Sequence, residues 1–222
     1  ELTLKINARP VPSVTSGKAQ VCLGSDEVYT TQAGMNSYLW SVTGGTITAG
    51  AGTNSITVNW TTAGAASVNI NYTDGNGCTA LVPTAFAVNV NNNPQPDLSI
   101  NATEACESVD LALDGNPTGG TAPYVTHAWT LAGSAYLTPT DAQNTTFNCG
   151  TAGSYNLRYT VTDNIGCTGY DEMVVTVIEG PVAYAGLDTT ICSDGNYKIQ
   201  GASISNAIMV TIRVFMTLPR TI

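Results

Sequence analysis

Two stretches of this chain repeat each other without a gap, and the repeat constrains the fold more than any single motif. Trp40 and Cys78 lie 38 positions apart, and so do Trp129 and Cys167. Around them, Tyr38-Leu-Trp40, Val58-Asn-Trp60 and Thr73-Asp-Gly-Asn-Gly-Cys78 are matched by His127-Ala-Trp129, Phe147-Asn-Cys149 and Thr162-Asp-Asn-Ile-Gly-Cys167. Upstream, Cys22 precedes Trp40 by 18 positions and Cys106 precedes Trp129 by 23. The five extra residues fall in the turn-rich stretch Asn116–Pro123. A third start is visible in Ala185-Gly-Leu-Asp-Thr-Thr-Ile-Cys192. A repeat of this length means that each unit is one module, built on the same plan as its neighbour.

Inside each unit the apolar residues alternate. Ile56, Val58 and Trp60 share one strand face, as do Val68, Ile70 and Tyr72. Tyr155, Leu157, Tyr159 and Val161 repeat the pattern, followed by Val175 and Val177. Period two, interrupted by Gly- and Asn-rich turns, marks half-buried antiparallel strands. The composition agrees: 33 Thr, 22 Gly and 19 Asn supply strands and turns, and only 10% of the residues are charged. Strands at this spacing over about 85 residues predict a two-sheet sandwich, so the fold class is all-β, in tandem antiparallel sandwiches. The boundaries fall at Asn91–Pro96 and Glu179–Pro181. Residues 1–9 read as the last strand of a preceding repeat, 10–94 as the first sandwich, 95–180 as the second and 181–222 as an incomplete third. Both ends look cut from a longer array. Trp40, Trp60 and Trp129 are the expected core anchors.

The run Gly153-Ser-Tyr-Asn-Leu-Arg-Tyr-Thr-Val-Thr-Asp-Asn-Ile-Gly-Cys167 resembles the signature of PKD-type Ig-like modules. Val21-Cys-Leu-Gly, Tyr38-Leu-Trp-Ser-Val-Thr-Gly-Gly-Thr46 and Ser55-Ile-Thr-Val-Asn-Trp60 are similar to PKD-like repeats of large Bacteroidota surface proteins, gliding adhesins of the type IX secretion route among them. The resemblance spans roughly residues 10–205. It implies Ig-like sandwiches in an extracellular, cell-surface array. Residues 208–222 depart from the repeat, with only Phe215 near the place of the expected Trp.

The cysteines recur with the repeat, which argues for disulfides and an oxidising compartment. The pairing expected is Cys22–Cys78 and Cys106–Cys167, one staple per sandwich. Each would close a loop of nearly 60 residues, worth roughly 4 kcal/mol on the chain-entropy account. Cys149 stands where the first unit has Trp60 and reads as a buried thiol, with capture of Cys106 or Cys167 as the alternative. Cys192 awaits a partner outside the chain.

Candidate chemistry is sparse. His127 is the only histidine, two positions from Trp129 on the same strand face, and reads as a core-edge residue and not as a triad member. Asp26-Glu27 and Asp171-Glu172 are sequence neighbours that point to opposite faces of a strand and cannot converge as an acid–base pair. Seven Lys and Arg against 16 Asp and Glu, net −9, give a nucleic-acid backbone little counter-charge. No apolar run approaches the roughly 20 residues of a membrane helix. Calcium is the one cofactor considered, through Asp74 and Asp163 in equivalent turns and Asp97 and Asp188 at unit starts; the plainer reading is turn carboxylates bonded to their own backbone. Tyr124, Tyr136, Tyr170 and Tyr184 are candidates for stacking on sugars. The expectation is therefore a non-enzymatic, extracellular structural and adhesion module. Its partners are neighbouring repeats, other copies in a filament, or surface glycans. The alternative is a carbohydrate-binding accessory module of a secreted hydrolase.

Overall fold

The computed structural model describes residues 3–133, 135–180, 182–184 and 203–205. The repeat becomes two sandwiches. In the first, β1 (Val14–Ser16), β3 (Asp26–Thr31), β6 (Ser55–Trp60) and β5 (Gly45–Ala49) form one sheet in that order. Facing it is the sheet of β2 (Gln20–Cys22), β8 (Thr84–Asn91), β7 (Gly64–Thr73) and β4 (Asn36–Thr43). The linker carries a short strand, β9 (Pro94–Gln95). In the second sandwich, β10 (Glu104–Cys106), β17 (Thr168–Ile178), β16 (Gly153–Asp163) and β13 (Tyr124–Leu131) face β11 (Leu111–Asp114), β15 (Asn144–Asn148) and β14 (Tyr136–Thr138). β12 (Thr118–Gly119) pairs with β9, and β18 (Val182–Tyr184) with β19 (Ser203–Ser205). A single 3-10 turn at Leu98–Ile100 is the only helical element among the described residues.

The alternation read from the sequence is what fills the two cores. Ile56, Val58 and Trp60 are buried on β6 while Val68, Ile70 and Tyr72 are buried on β7, and the two sets meet between the sheets. In the second unit Leu157, Tyr159 and Val161 face Leu113 and Phe147 in the same way. All three tryptophans lie inside, and Cys149 is buried in the place of Trp60 with its thiol directed at the Thr151 carbonyl, 3.3 Å away. His127 sits at the core edge, its Nδ1 2.5 Å from the Tyr159 hydroxyl.

Within each sandwich the first short strand runs parallel to the last: Cys22 pairs with Asn91, and Cys106 with Ile178. The last strand is antiparallel to the long strand before it, with Val90 opposite Gly64 and Val177 opposite Gly153. The first-strand cysteine therefore lies at the start of the long strand, and the turn cysteine just past its end. That separates Cys22 from Cys78 by the ten residues of β7, about 30 Å at a strand rise of about 3.3 Å per residue. Cys106 and Cys167 are separated in the same way along β16.

Residues 1–9 are expected to close a preceding repeat; of these, residues 3–8 have no strand beside them, and Leu4 and Ile6 are 84% and 85% exposed. Residues 185–202 and 206–222, with Asp188, Cys192 and the divergent tail, lie outside the described residues.

Burial has a consequence for alkaline stability. It pushes the phenols of Tyr29 and Tyr159 up to about 12, the nearby Trp60 indole partly opposing it at Tyr29 and the Asp114 charge adding to it at Tyr159. In the unfolded chain both ionise near pH 10. Their contribution to stability is thus complete below pH 10 and is lost as the pH rises toward 12. Urea unfolding is expected to give the same midpoint at pH 7 and 9 and a clearly lower one at pH 11. Tyrosinate absorbance from these two rings should appear near pH 10 in the unfolded chain and only toward pH 12 in the folded one.

Candidate functional site

The two sandwiches are joined by a disulfide and by a linker hydrogen-bonded to both. Cys22, at the lower end of the first sandwich, is bonded to Cys167, in the upper turn of the second, with a Cα–Cα distance of 5.4 Å across 145 residues of sequence. This replaces the expected Cys22–Cys78 and Cys106–Cys167 staples. A disulfide needs Cα atoms roughly 4.4–6.8 Å apart, and the parallel first strand puts the two cysteines of one sandwich at opposite ends. Cys78 and Cys106 are free and half-buried, and Cys149 is free and buried.

The linker is built into the second sandwich. β9 pairs antiparallel with β12, so Gln95 faces Thr118 and Pro94 faces Gly119. β12 lies in the stretch that carries the five-residue insertion of the second unit, which gives that insertion a structural role: it supplies the partner strand for the linker. Beside it, β17 runs so close that a Cβ on Gly169 would collide with the Pro94 carbonyl. Asp97 caps the 3-10 turn by accepting from the Ser99 amide at 3.0 Å. Asp171 accepts from the Leu98 amide at 2.8 Å. From the other side, the Asn93 side-chain amide donates to the Leu23 carbonyl at 3.1 Å.

Asp163 anchors the turn that presents Cys167. It is fully buried; Oδ1 accepts from the amides of Ile165 and Cys167, at 3.0 and 2.9 Å, and Oδ2 accepts from Thr121 at 2.8 Å. Asp74 does the same in the first sandwich, accepting from Asn76 and Cys78 at 2.9 Å each, but has no counterpart of Thr121. Asp163 thus uses both carboxylate oxygens on backbone amides, Asp74 uses its Oδ1 on two amides, and Asp97 uses its Oδ1 on the amide and hydroxyl of Ser99. Among the described residues no three His, Cys, Asp or Glu side chains gather as a metal-holding group. Asp188 lies outside the described residues.

Of the tyrosines considered for sugar stacking, Tyr136 and Tyr170 are exposed. The Arg158 guanidinium lies 3.6 Å over the Tyr170 ring and covers one face of it. The Tyr124 hydroxyl donates to the Gly119 carbonyl at 2.8 Å. A groove of about 580 Å³ beside Arg158, Glu172 and Met173 is open to solvent. No helix among the described residues is long and apolar enough to cross a membrane.

Sequence reasoning found the cysteines but missed the junction they build. The signal for it was present: Pro10-Val-Pro12 and Pro94-Gln-Pro96 stand at the same distance ahead of Cys22 and Cys106. Replacing Asp163 by Ala leaves three amide donors without their acceptor, and is expected to cost about 2–4 kcal/mol. Asp74→Ala, at a half-exposed turn with two such bonds, should cost clearly less. Urea unfolding of the two variants checks the difference. A non-reducing peptide map should yield Cys22 joined to Cys167, and a Cys22–Cys78 peptide would refute the junction described here.

Residues 8–90 match the sequence profile of the PKD-like domain. Solved structures of similar fold include the fibronectin(III)-like modules of Clostridium thermocellum CbhA, 12% identical over 76% of this chain and 95% of that one (TM-score 0.38). They also include the PKD domain of the KIAA 1837 protein, 18% identical over 40% of this chain and 88% of that one (TM-score 0.31). Domains 4 and 5 of the S-layer protein SbsC are 11% identical over 75% and 96% (TM-score 0.30). No curated protein matches the chain by sequence. The first sandwich is thus similar to PKD-like domains, and the second repeats its strand plan.

Proposed function

We propose that the chain is a non-enzymatic extracellular spacer, a stiff segment of a long surface protein that holds other parts of that protein away from the cell. The observation that carries this reading is the covalent junction. A flexible linker lets two sandwiches reorient freely, whereas here Cys22–Cys167 ties the two ends together and the linker is hydrogen-bonded into the next sandwich. A bond of this kind forms and persists in oxidising compartments, which supports a setting outside the cytosol. The similarity of residues 8–90 to PKD-like domains supports it as well. The placement of the array on a Bacteroidota surface rests on the resemblance of the repeat motifs alone.

Stiffness needs no cation in this reading, because the disulfide and the linker strand already hold the junction. The melting temperature is expected to be the same in millimolar calcium and in chelator. The competing reading, a carbohydrate-binding accessory module, draws on exposed Tyr136 and Tyr170. It is weakened by the Arg158 cap on Tyr170, and retention on an insoluble polysaccharide that Tyr136→Ala and Tyr170→Ala abolish would favour it.

The spacer reading is tested by spin labels placed on exposed positions of the two sandwiches, such as Leu39 and Val174. Their distance distribution should be narrow in the oxidised chain and broaden in Cys22→Ser. A broad distribution in the oxidised chain would overturn the reading.

A further inference from the structure

Of the three free cysteines among the described residues, Cys149 is buried, and Cys78 and Cys106 each occupy the position of one partner of the junction disulfide. Cys78 is held as Cys167 is held. Its amide donates to Asp74 Oδ1 at 2.9 Å and its carbonyl accepts from the Asp74 amide at 2.9 Å; Cys167 makes both bonds to Asp163 at the same lengths. Cys106 matches Cys22. The residue after each donates to the last strand, Leu23 to Asn91 at 2.8 Å and Glu107 to Ile178 at 3.0 Å. Gly24 and Ser108 then donate to the carbonyls of Trp60 and Cys149, at 2.6 and 2.7 Å. The first sandwich therefore presents an open turn cysteine at its upper end, and the second an open first-strand cysteine at its lower end.

A second, independent feature lies at the Cys78 end. Leu4 and Ile6 stand 18 and 16 positions before Cys22, as Val88 and Val90 stand before Cys106. Val88 and Val90 are 4% and 2% exposed inside the first sandwich, whereas Leu4 and Ile6 are 84% and 85% exposed. Residues 3–7 thus carry the apolar alternation of a last strand with no sheet to bury it. They lead into Arg9-Pro-Val-Pro12, which passes the Cys78 turn much as the linker passes the Cys167 turn. Arg9 donates to the Thr79 carbonyl at 2.8 Å, and the Tyr72 hydroxyl donates to the Val11 carbonyl at 3.4 Å.

We propose that another Ig-like repeat of this kind docks on the upper end of the first sandwich, takes residues 3–7 as its last strand, and bonds its own first-strand cysteine to Cys78. Parallel pairing of first and last strands brings that cysteine beside Asn7, as it brings Cys22 beside Asn91. Cys106 is the first-strand half of the same bond to a repeat on the C-terminal side. The disulfides then run between repeats along the array and not within them. Each forms by exchange: one thiolate displaces a thiol from a small-molecule disulfide, and the second thiolate displaces the other thiol from the mixed disulfide. Two cysteine thiols are oxidised and one small disulfide is reduced to two thiols.

This inference rests on the spacer reading and extends it from one junction to the array. The direct test is a non-reducing peptide map of the polypeptide purified from its own cells. Cys78 is expected in a peptide joined to a cysteine from outside these 222 residues on the N-terminal side. A free Cys78, or a Cys78 joined to any cysteine within the chain, overturns the proposal. A second test places residues 10–84 directly before Glu1, so that residues 1–7 follow as residues 85–91 do. The added copy of Cys22 is expected to bond to Cys78 of the full chain, and amide exchange at residues 3–7 to slow at least about tenfold relative to the chain alone. Bonding within the added block, or unprotected residues 3–7 in a folded fusion, counts against it. If the fusion does not fold, the map decides. The spin-label distance across Cys22–Cys167 is unaffected by either result, so the proposal and the spacer reading fail separately.

Discussion

Everything distinctive about this chain depends on the direction of one three-residue strand. β2 and β10 enter each sandwich parallel to its last strand, so the cysteine that ends them sits at the end where the chain leaves the sandwich. The turn cysteine sits at the other end, beyond the long strand. A covalent bond between the two is excluded by the length of that strand, and the bond available is to the next sandwich. The same cysteines that would staple a single domain become a joint between domains.

A joint made of one bond would still pivot. The linker strand and the close approach of Pro94 to Gly169 fix the linker to the second sandwich, Asn93 ties it to the Leu23 carbonyl of the first, and Asp163 holds the turn that presents Cys167. Asp163 is the most exacting of these: its fully buried side chain accepts from three converging backbone amides. Its partner Thr121 belongs to the stretch that sets the second unit apart from the first. Where the two repeats differ in sequence is where the second sandwich receives its neighbour.

The strands of both sandwiches were legible residue by residue, because side-chain alternation is a local property and burial follows it directly. Ile56, Val58, Trp60, Leu157, Tyr159 and Val161 needed no partner to be recognised. Asp74 and Asp163 were legible as turn residues, and the Asn-Gly and Ile-Gly pairs beside them as turns, since a left-handed glycine is a local requirement as well. The pairing of the cysteines was not legible. Spacing along the chain does not record which end of a sandwich a residue occupies, and two equal spacings suited staples within units as well as bonds between them. Gly169 was silent for a similar reason: its need for a missing side chain comes from Pro94, some 75 positions away in sequence.

By itself the sequence determined that this protein is a repeat of all-β units, which strand faces are buried and that cysteines recur at fixed places in the plan. These follow from periodicity and local conformational preference. Only the tertiary structure decided what the cysteines join, because that depends on strand direction and on the distance spanned by a ten-residue strand. It turned two separate stapled domains into consecutive links of one covalent chain.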